Sequence, residues 1–266
     1  MYDFHKDRKY YFDFILRVTR DYILPFINLN YNENSKKDIL DIGCAEGAVL
    51  KAFTDQNCNC VGIELSEKRI ELAHVFMKDE INSNKVKFIS RDIYDIDPAK
   101  DIGHKFDLIL LKDVIEHIFN QDKFFKHLPS FLKPNGQVFF AFPPWYMPFG
   151  GHQQVLRSKL LSKLPYFHLL PRFIYKFILK SFKESESQIQ EMLELKETGL
   201  SIERFERLCK NSGFEIVKKT HFLINPIYKY KFGLKPRPQI GLIKHIPYFR
   251  NFLTTGVYYL IKQKVN

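Results

Sequence analysis

Asp41-Ile42-Gly43-Cys44-Ala45-Glu46-Gly47 follows a short apolar stretch and leads into a helix-like segment at Ala48. Glycine and alanine at alternate positions let a backbone come close to a bound ligand. Glu64 stands about 20 residues further on, at the end of a second apolar stretch, where a Rossmann-type fold places a carboxylate for two ribose hydroxyls. Asp92, in Arg91-Asp92-Ile93 behind a third stretch, can accept from an adenine amino group. The dinucleotide fingerprint G-x-G-x-x-G seats a pyrophosphate on a helix N-terminus. Here the spacing is one residue shorter, and Asp41 and Glu46 flank the loop. Those carboxylates repel a pyrophosphate and suit a cofactor that carries an ammonium group and a sulfonium.

These residues need strands to carry them. Asp38–Ile42, Cys60–Glu64, Val86–Ser90, Phe106–Leu111 and Gln137–Phe142 read as five short buried strands. Helices are expected at Ala48–Thr54, from Ser66 to Lys78, and from Phe124 to Leu132, the last stopped by the turn signal Pro134-Asn135-Gly136. Short apolar strands alternating with helices imply a parallel sheet covered on both faces, and right-handed crossovers make it doubly wound and Rossmann-like. An amphipathic helix from Asp7 to Asn28, ending near Pro25, precedes a polar loop. After Pro143-Pro144 the pattern changes. Trp145–Phe182 is aromatic, basic and Pro-punctuated. Glu184–Lys196 and Ser201–Asn211 read as helices, and Phe214–Lys219 and Gly256–Lys262 as two closing strands; residues 225–252 show no period. The expectation is one domain over residues 1–266, with an N-terminal helix (1–30), a cofactor core (38–142), a helical lid (143–200) and a closing segment (201–266).

The stretches Leu40–Gly47, Gly62–Ser66, Ser90–Ile93, Phe106–Ile109, Asp113–His117 and Leu132–Gly136 together resemble the class I S-adenosylmethionine-dependent methyltransferases. The resemblance spans about residues 38–142. It implies an α/β, Rossmann-like, seven-stranded sheet, mostly parallel with an antiparallel last strand, for which Tyr258–Lys262 is the candidate. It implies S-adenosylmethionine as cofactor. Gly43, Ala45 and Gly47, with Cys44, would surround its methionine part, and Asp41 would orient the loop and the ammonium. Glu64 would hold the ribose, Asp92 and Ile93 the adenine, Lys112 and Asp113 would line the methyl-donating end, and Leu65 belongs to the same cofactor site. The family commonly has glycine where this chain has Ala45, a small steric change.

Methyl transfer is an in-line displacement, so positioning dominates, and a hydroxyl acceptor also benefits from a general base. His117 is either such a base or part of a packed helix start. His152, in Phe149-Gly150-Gly151-His152, is either a base placed by a flexible turn or a capping residue. Asp113 either shares that role or ties down its loop. Phe142-Pro143-Pro144-Trp145 is close to the Asn/Asp-Pro-Pro-aromatic motif of amino-group methyltransferases, but Phe142 offers no acceptor and the stretch follows the wrong strand. Trp145 and Tyr146 are left either to wall a substrate or to form a lid. No Cys/His set completes a zinc site around Cys58 and Cys60, so no metal is expected and Cys44, Cys58, Cys60 and Cys209 read as reduced structural cysteines.

The net charge is +11, and no acid occurs from Lys123 to Lys183 or from Ile216 onward. Such asymmetry either gathers anionic ligands or simply solvates the surface. Leu160–Phe182 interleaves basic and apolar residues, which suits a helical lid or a peripheral membrane contact. With Phe142–Gln153 and Thr198–Glu215 it is similar to bacterial methyltransferases of surface glycan or lipid-linked sugar assembly. No apolar run reaches the roughly 20 residues of a membrane span, and the charged N-terminus has no signal-peptide core, so a cytoplasmic enzyme is expected, with a small-molecule, glycan or lipid-linked acceptor, anionic or not. An RNA methyltransferase is the alternative that the charge favours, but no RNA-binding module is recognisable and nucleic acid is not the expected partner. A non-catalytic protein of this fold, docking on a membrane or partner, is the third reading.

Overall fold

The computed structural model describes residues 7–29 and 36–264. In chain order its longer elements are α1 (Arg8–Val18), α2 (Leu24–Ile27), β1 (Asp38–Ile42), α3 (Ala48–Thr54), β2 (Asn59–Glu64), α4 (Glu67–Phe76), α5 (Lys78–Asn82), β3 (Val86–Ser90), β4 (Phe106–Lys112), α6 (Gln121–His127) and β5 (Leu132–Phe142). They continue with α7 (Arg172–Ser181), α8 (Glu186–Thr198), α9 (Ile202–Asn211), β6 (Phe214–Ile224), α10 (Ile227–Phe232), β7 (Arg237–Pro238), α11 (Gly241–Lys244), α12 (Phe249–Phe252) and β8 (Gly256–Gln263). The strands form one sheet in the order β3-β2-β1-β4-β5-β8-β6-β7. The pairs among β1 to β5 are parallel, and β8 runs antiparallel between β5 and β6. The expected seven strands are therefore present, with the two-residue β7 added at the edge, where Arg237-Pro238 pairs with the end of β6. Proline fits an edge because it has no N–H to give to a further neighbour.

Strand periodicity divides the core. Leu40 and Ile42 of β1, Ile109 and Leu111 of β4, Phe140 and Phe142 of β5, and Tyr259 of β8 face α6 and α9, where Phe125, Phe205 and Phe214 join them. The alternate residues Ile39, Leu108, Leu110, Phe139 and Tyr258 face α3 and the N-terminal helices. Phe125 stacks on Phe140 with ring centroids 5.5 Å apart. Removing one such fully buried ring costs about 3–5 kcal/mol.

The N-terminal segment departs from one regular helix. α1 runs into a π-helical turn at Thr19–Ile23 before α2. Pro25 sits in the first turn of α2, where its missing N–H costs little. The polar loop expected after it lies mostly outside the described residues. The turn at Pro134-Asn135-Gly136 does not end an element. Asn135 takes a left-handed φ of 63°, and the register with β4 shifts from Phe106↔Leu132 to Leu108↔Gln137. The turn signal is a bulge inside β5. α6 begins at Gln121, capped by the Asn120 side chain, and a 3-10 turn follows it, so the helix expected from Phe124 to Leu132 is shifted.

Residues 143–200 build a small core of their own. Tyr175 and Leu179 of α7 pack on Ile189, Met192 and Leu193 of α8, with Leu156, Leu161 and Phe167 from the turns before them. α8 starts with a full capping box, in which Ser185 and Gln188 bond each other's backbone. Its end is tied to the turn after β4 and to α6: the Thr198 hydroxyl donates to the Glu116 carbonyl at 2.5 Å, and Gln121 Nε2 donates to the carbonyls of Ile115 and Thr198.

Candidate functional site

β1 lies between β2 and β4, so the chain winds away from it in both directions. The crevice at such a switch point, beyond the carboxyl ends of the strands, is where open α/β sheets take ligands. A cleft of about 1040 Å³ opens there. The loop after β1 forms its floor. The backbone N–H groups of Gly43 and Cys44 both donate to the Ile63 carbonyl, which folds the loop over the end of β2. Gly43 and Gly47 have φ of 72° and 85°. A Cβ on Gly43 would also lie 2.5 Å from a Val114 methyl carbon, so glycine is required by backbone and by space. Ala45 adopts φ 49° in the same loop. The departure noted in the sequence therefore acts through the backbone, because an L-residue in the left-handed region costs about 1–2 kcal/mol.

Three carboxylates line the cleft from three successive strand ends. Asp41 is 2 % exposed, and its Oδ2 has no hydrogen-bond partner. Burial pushes its carboxyl well above the usual range; Lys112 works against that shift and Glu64 adds to it. Glu64 accepts from the N–H groups of Ala45 at 3.1 Å and Ser66 at 3.0 Å, so it also clamps the loop. Asp92 accepts from the Tyr94 N–H and caps a 3-10 turn beginning at Ile93. Leu65, Cys44 and Ile93 lie on the same walls. The Cys44 thiol is pushed well up by burial, which leaves it unreactive. All four cysteines are buried and free.

α1 closes one side of the cleft. Tyr11, Phe12 and Ile15 line it, and Arg8 bonds the buried Glu46 carboxylate at 3.2 Å. Sequence reading placed this helix but gave it no part in the site, because amphipathic spacing shows that a face is covered and not what it covers.

The far end of the cleft holds Lys112, Asp113, His117 and His152. Asp113 has a left-handed φ of 55° and donates its N–H to the Ala141 carbonyl of β5. Its carboxylate pairs with Lys112. Burial raises the Asp113 carboxyl, but the Lys112 charge outweighs it and holds the group below the usual range. The rings of His117 and His152 face each other with centroids 5.1 Å apart. Burial, then the neighbouring His117, pushes the His152 imidazole down to about 4. Burial also lowers His117. Behind them lies Glu116, 4 % exposed, with neither carboxylate oxygen hydrogen-bonded. Its Oε1 is 3.9 Å from His152 Nε2. Glu116 was legible only as part of a motif, since nothing in its local sequence says that the loop after β5 returns to it.

His152 takes φ 53° after Gly150 and Gly151. A Cβ on Gly150 would lie 2.2 Å from the Trp145 carbonyl oxygen, and one on Gly151 would lie 2.3 Å from the His168 Cβ. These glycines are tightly packed, not a flexible turn. Trp145 turns away from the cleft into the core of residues 143–200, where its ring meets His168 at 4.7 Å and covers Gly199. Trp145 does not line the cleft, so it does not wall a ligand there.

Comparison with known proteins agrees with this architecture. The sequence matches the family described as "Methyltransferase domain" over residues 5–219. It is 31 % identical over 121 residues to the ubiquinone biosynthesis O-methyltransferase of Rickettsia felis, covering 46 % of this chain and 47 % of the relative. The corresponding Rickettsia prowazekii protein is 30 % identical over 122 residues, with 46 % of each chain covered. The chain thus spans about half the length of the curated relatives it matches. Among solved structures, magnesium protoporphyrin IX methyltransferase from Synechocystis superposes with a TM-score of 0.55 at 12 % identity, covering 95 % of this chain and 84 % of the other. An S-adenosylmethionine-dependent methyltransferase from Clostridium acetobutylicum gives 0.53 at 15 % identity, covering 97 % and 93 %.

Proposed function

The chain belongs to the methyltransferase-domain family, and from that premise we propose that it moves a methyl group from S-adenosylmethionine to a hydroxyl oxygen of a small acceptor, a sugar or a lipid-linked molecule. The observation that carries this reading is a single cleft with Asp41, Glu64 and Asp92 at one end and Asp113, His117 and His152 at the other. The unpartnered Asp41 Oδ2 fits an ammonium group, and the glycine cradle at Gly43 fits a ligand pressed against backbone. Glu64 has a lone pair left on each oxygen for ribose hydroxyls, and Asp92 and Ile93 stand where adenine would lie. Leu65 and Cys44 add apolar walls. When bound, S-adenosylmethionine supplies an electrophilic methyl on a sulfonium sulfur.

The chain's own residues then have defined work. Tyr11 and Phe12 of α1 cover the cleft and exclude water. Lys112 fixes the Asp113 carboxylate at the donating end. His117 and His152 are uncharged at neutral pH and offer lone pairs to the acceptor hydroxyl. As its oxygen gains a bond to carbon, its proton becomes strongly acidic, so even a weak base can take it up. Calorimetry tests the reading: wild-type protein should bind S-adenosylmethionine, and Asp41→Asn should weaken binding by about 1.5–3 kcal/mol, the worth of a hydrogen bond to a charged group. No heat of binding at millimolar cofactor would rule the reading out.

The lid gives a place for a lipid-linked acceptor to be met. On α7, Phe173 and Phe177 are 75 % and 70 % exposed and stand one turn apart, amid Arg172, Lys176 and Lys180. That combination suits an anionic membrane surface. No helix among the described residues is long and apolar enough to cross a membrane. Co-sedimentation with phosphatidylglycerol vesicles should fall when Phe173 and Phe177 are both changed to Ser; equal sedimentation of the two proteins would remove the surface from the proposal.

A further inference from the structure

We propose that Glu116, His117 and His152 form a divalent-cation site at the acceptor end of the cleft, suited to zinc, cobalt, manganese or iron(II). One ligand atom from each residue lies within 4.8 Å of the others. Ligand bonds to such ions are roughly 2.0–2.2 Å, so the side chains need draw in by only about an ångström to share one ion. Two imidazoles and one carboxylate are a donor set that suits these metals and leaves coordination positions open.

Glu116 points independently to a missing partner. It is 4 % exposed, and both carboxylate oxygens lack hydrogen bonds. A buried carboxylate without partners is costly. Among the described residues, the only basic side chain within ion-pairing distance is His152, at 3.9 Å, too long for a hydrogen bond. The carboxylate cannot simply swing away with its backbone, because the Glu116 carbonyl accepts from Thr198 and the preceding carbonyl from Gln121. His117 and His152 line the cleft while Glu116 sits behind them, so the open positions of a bound ion face the space left for an acceptor. The ligands come from two loops, after β4 and after β5, and the second is fixed by the close packing of Gly150 and Gly151.

The consequence for the reaction rests on the methyl-transfer reading above; the cation site does not. With an ion present, the two imidazoles spend their lone pairs on the metal, and an acceptor hydroxyl reaches the ion instead. A coordinated hydroxyl is more acidic and gives its proton to water, leaving its oxygen aimed by the metal. Acceptors with two adjacent oxygens gain most, since both can bind one ion.

The test is a Co2+ titration of the full chain, after chelator treatment, read by the visible absorption of the bound ion. Wild-type protein should bind one equivalent. Glu116→Gln, which keeps the shape of the buried group, and His152→Asn, which tolerates the left-handed backbone, should each weaken binding by at least the roughly 10–100-fold that loss of a ligand's supporting contacts costs. Circular dichroism of both variants shows whether the fold is kept. A wild type that binds no Co2+, or folded variants that bind it equally well, overturns the proposal. Calorimetry with S-adenosylmethionine on the metal-free protein separates the two readings: cofactor binding without Co2+ binding sinks only the cation site, and Co2+ binding without cofactor binding sinks only methyl transfer.

Discussion

Asp41, Glu64 and Asp92 could be read from the sequence because each stands at or just beyond the carboxyl end of a strand, and a parallel sheet aligns such positions on one edge. The structure gives two of them a part in holding the fold. Glu64 clamps the loop through Ala45 and Ser66, and Asp92 caps a turn. The closeness of Glu116 to His152 was not legible, because His152 arrives there only through the folding of a distant loop. Ala45 was legible as a departure but not as a strained one, since φ is not written in a residue's identity. Its value of 49° leads to a prediction. Ala45→Gly should stabilise the protein by about 1 kcal/mol, by relieving the left-handed penalty, less the entropy that glycine loses on folding. The midpoint of urea unfolding measures it; a lower midpoint would show that the alanine methyl makes contacts worth more than the strain.

At the scale of elements, the strands were legible because the residues alternate between two packed faces, and α9 because Ser201 caps it and Gly213 follows it. The turn signal in β5 was correct in its backbone chemistry and wrong in its consequence, because a left-handed residue can bulge a strand as well as end it. α10, α11 and α12 were missed, since helices of four to six residues carry too few turns to show a period. The Gly150-Gly151 pair shows how neighbours decide what a glycine is for. Gly151→Ala would press its new methyl carbon to 2.3 Å from the His168 Cβ. Overpacking of this kind costs about 1–3 kcal/mol. The strain should appear as faster proteolytic cutting within residues 143–200, while α3 and the sheet stay protected.

For the whole molecule, the basic excess was legible in the sequence, but which cations face solvent was not. Lys218 reaches the Phe26 carbonyl and lies over its ring, and Lys133 binds Asp38 and Asp107, so part of that charge is structural. Buried histidines oppose the fold in acid. His168 donates from Nε2 to the Trp145 carbonyl at 2.7 Å, and His221 shares a bond with the Tyr259 hydroxyl. Burial pushes both imidazoles down to about 4. The unfolded chain takes up these protons near pH 6.5 and the folded chain only near 4, so the stability they contribute is full above about 6.5 and declines as pH falls through that window. A tenfold loss of proton affinity on folding is worth about 1.4 kcal/mol, so each ring accounts for a few kcal/mol. Urea midpoints measured from pH 7 down to pH 5 should drop steadily, and His168→Gln should flatten the slope. A pH-independent midpoint over this range would show that the rings are charged or exposed.

The separate core of residues 143–200 has a consequence for how such a chain can change over generations. Tyr175, Leu179 and Met192 fill a space that needs no ring from the sheet, and the segment is hydrogen-bonded to the remainder through Thr198, which meets Gln121 and Glu116, and through Tyr166, whose hydroxyl donates to the Phe252 carbonyl. A segment that packs itself can be exchanged as a cassette, provided those joints are kept. Over generations a change of segment there would leave the loop at Asp41 and the sheet beneath it undisturbed.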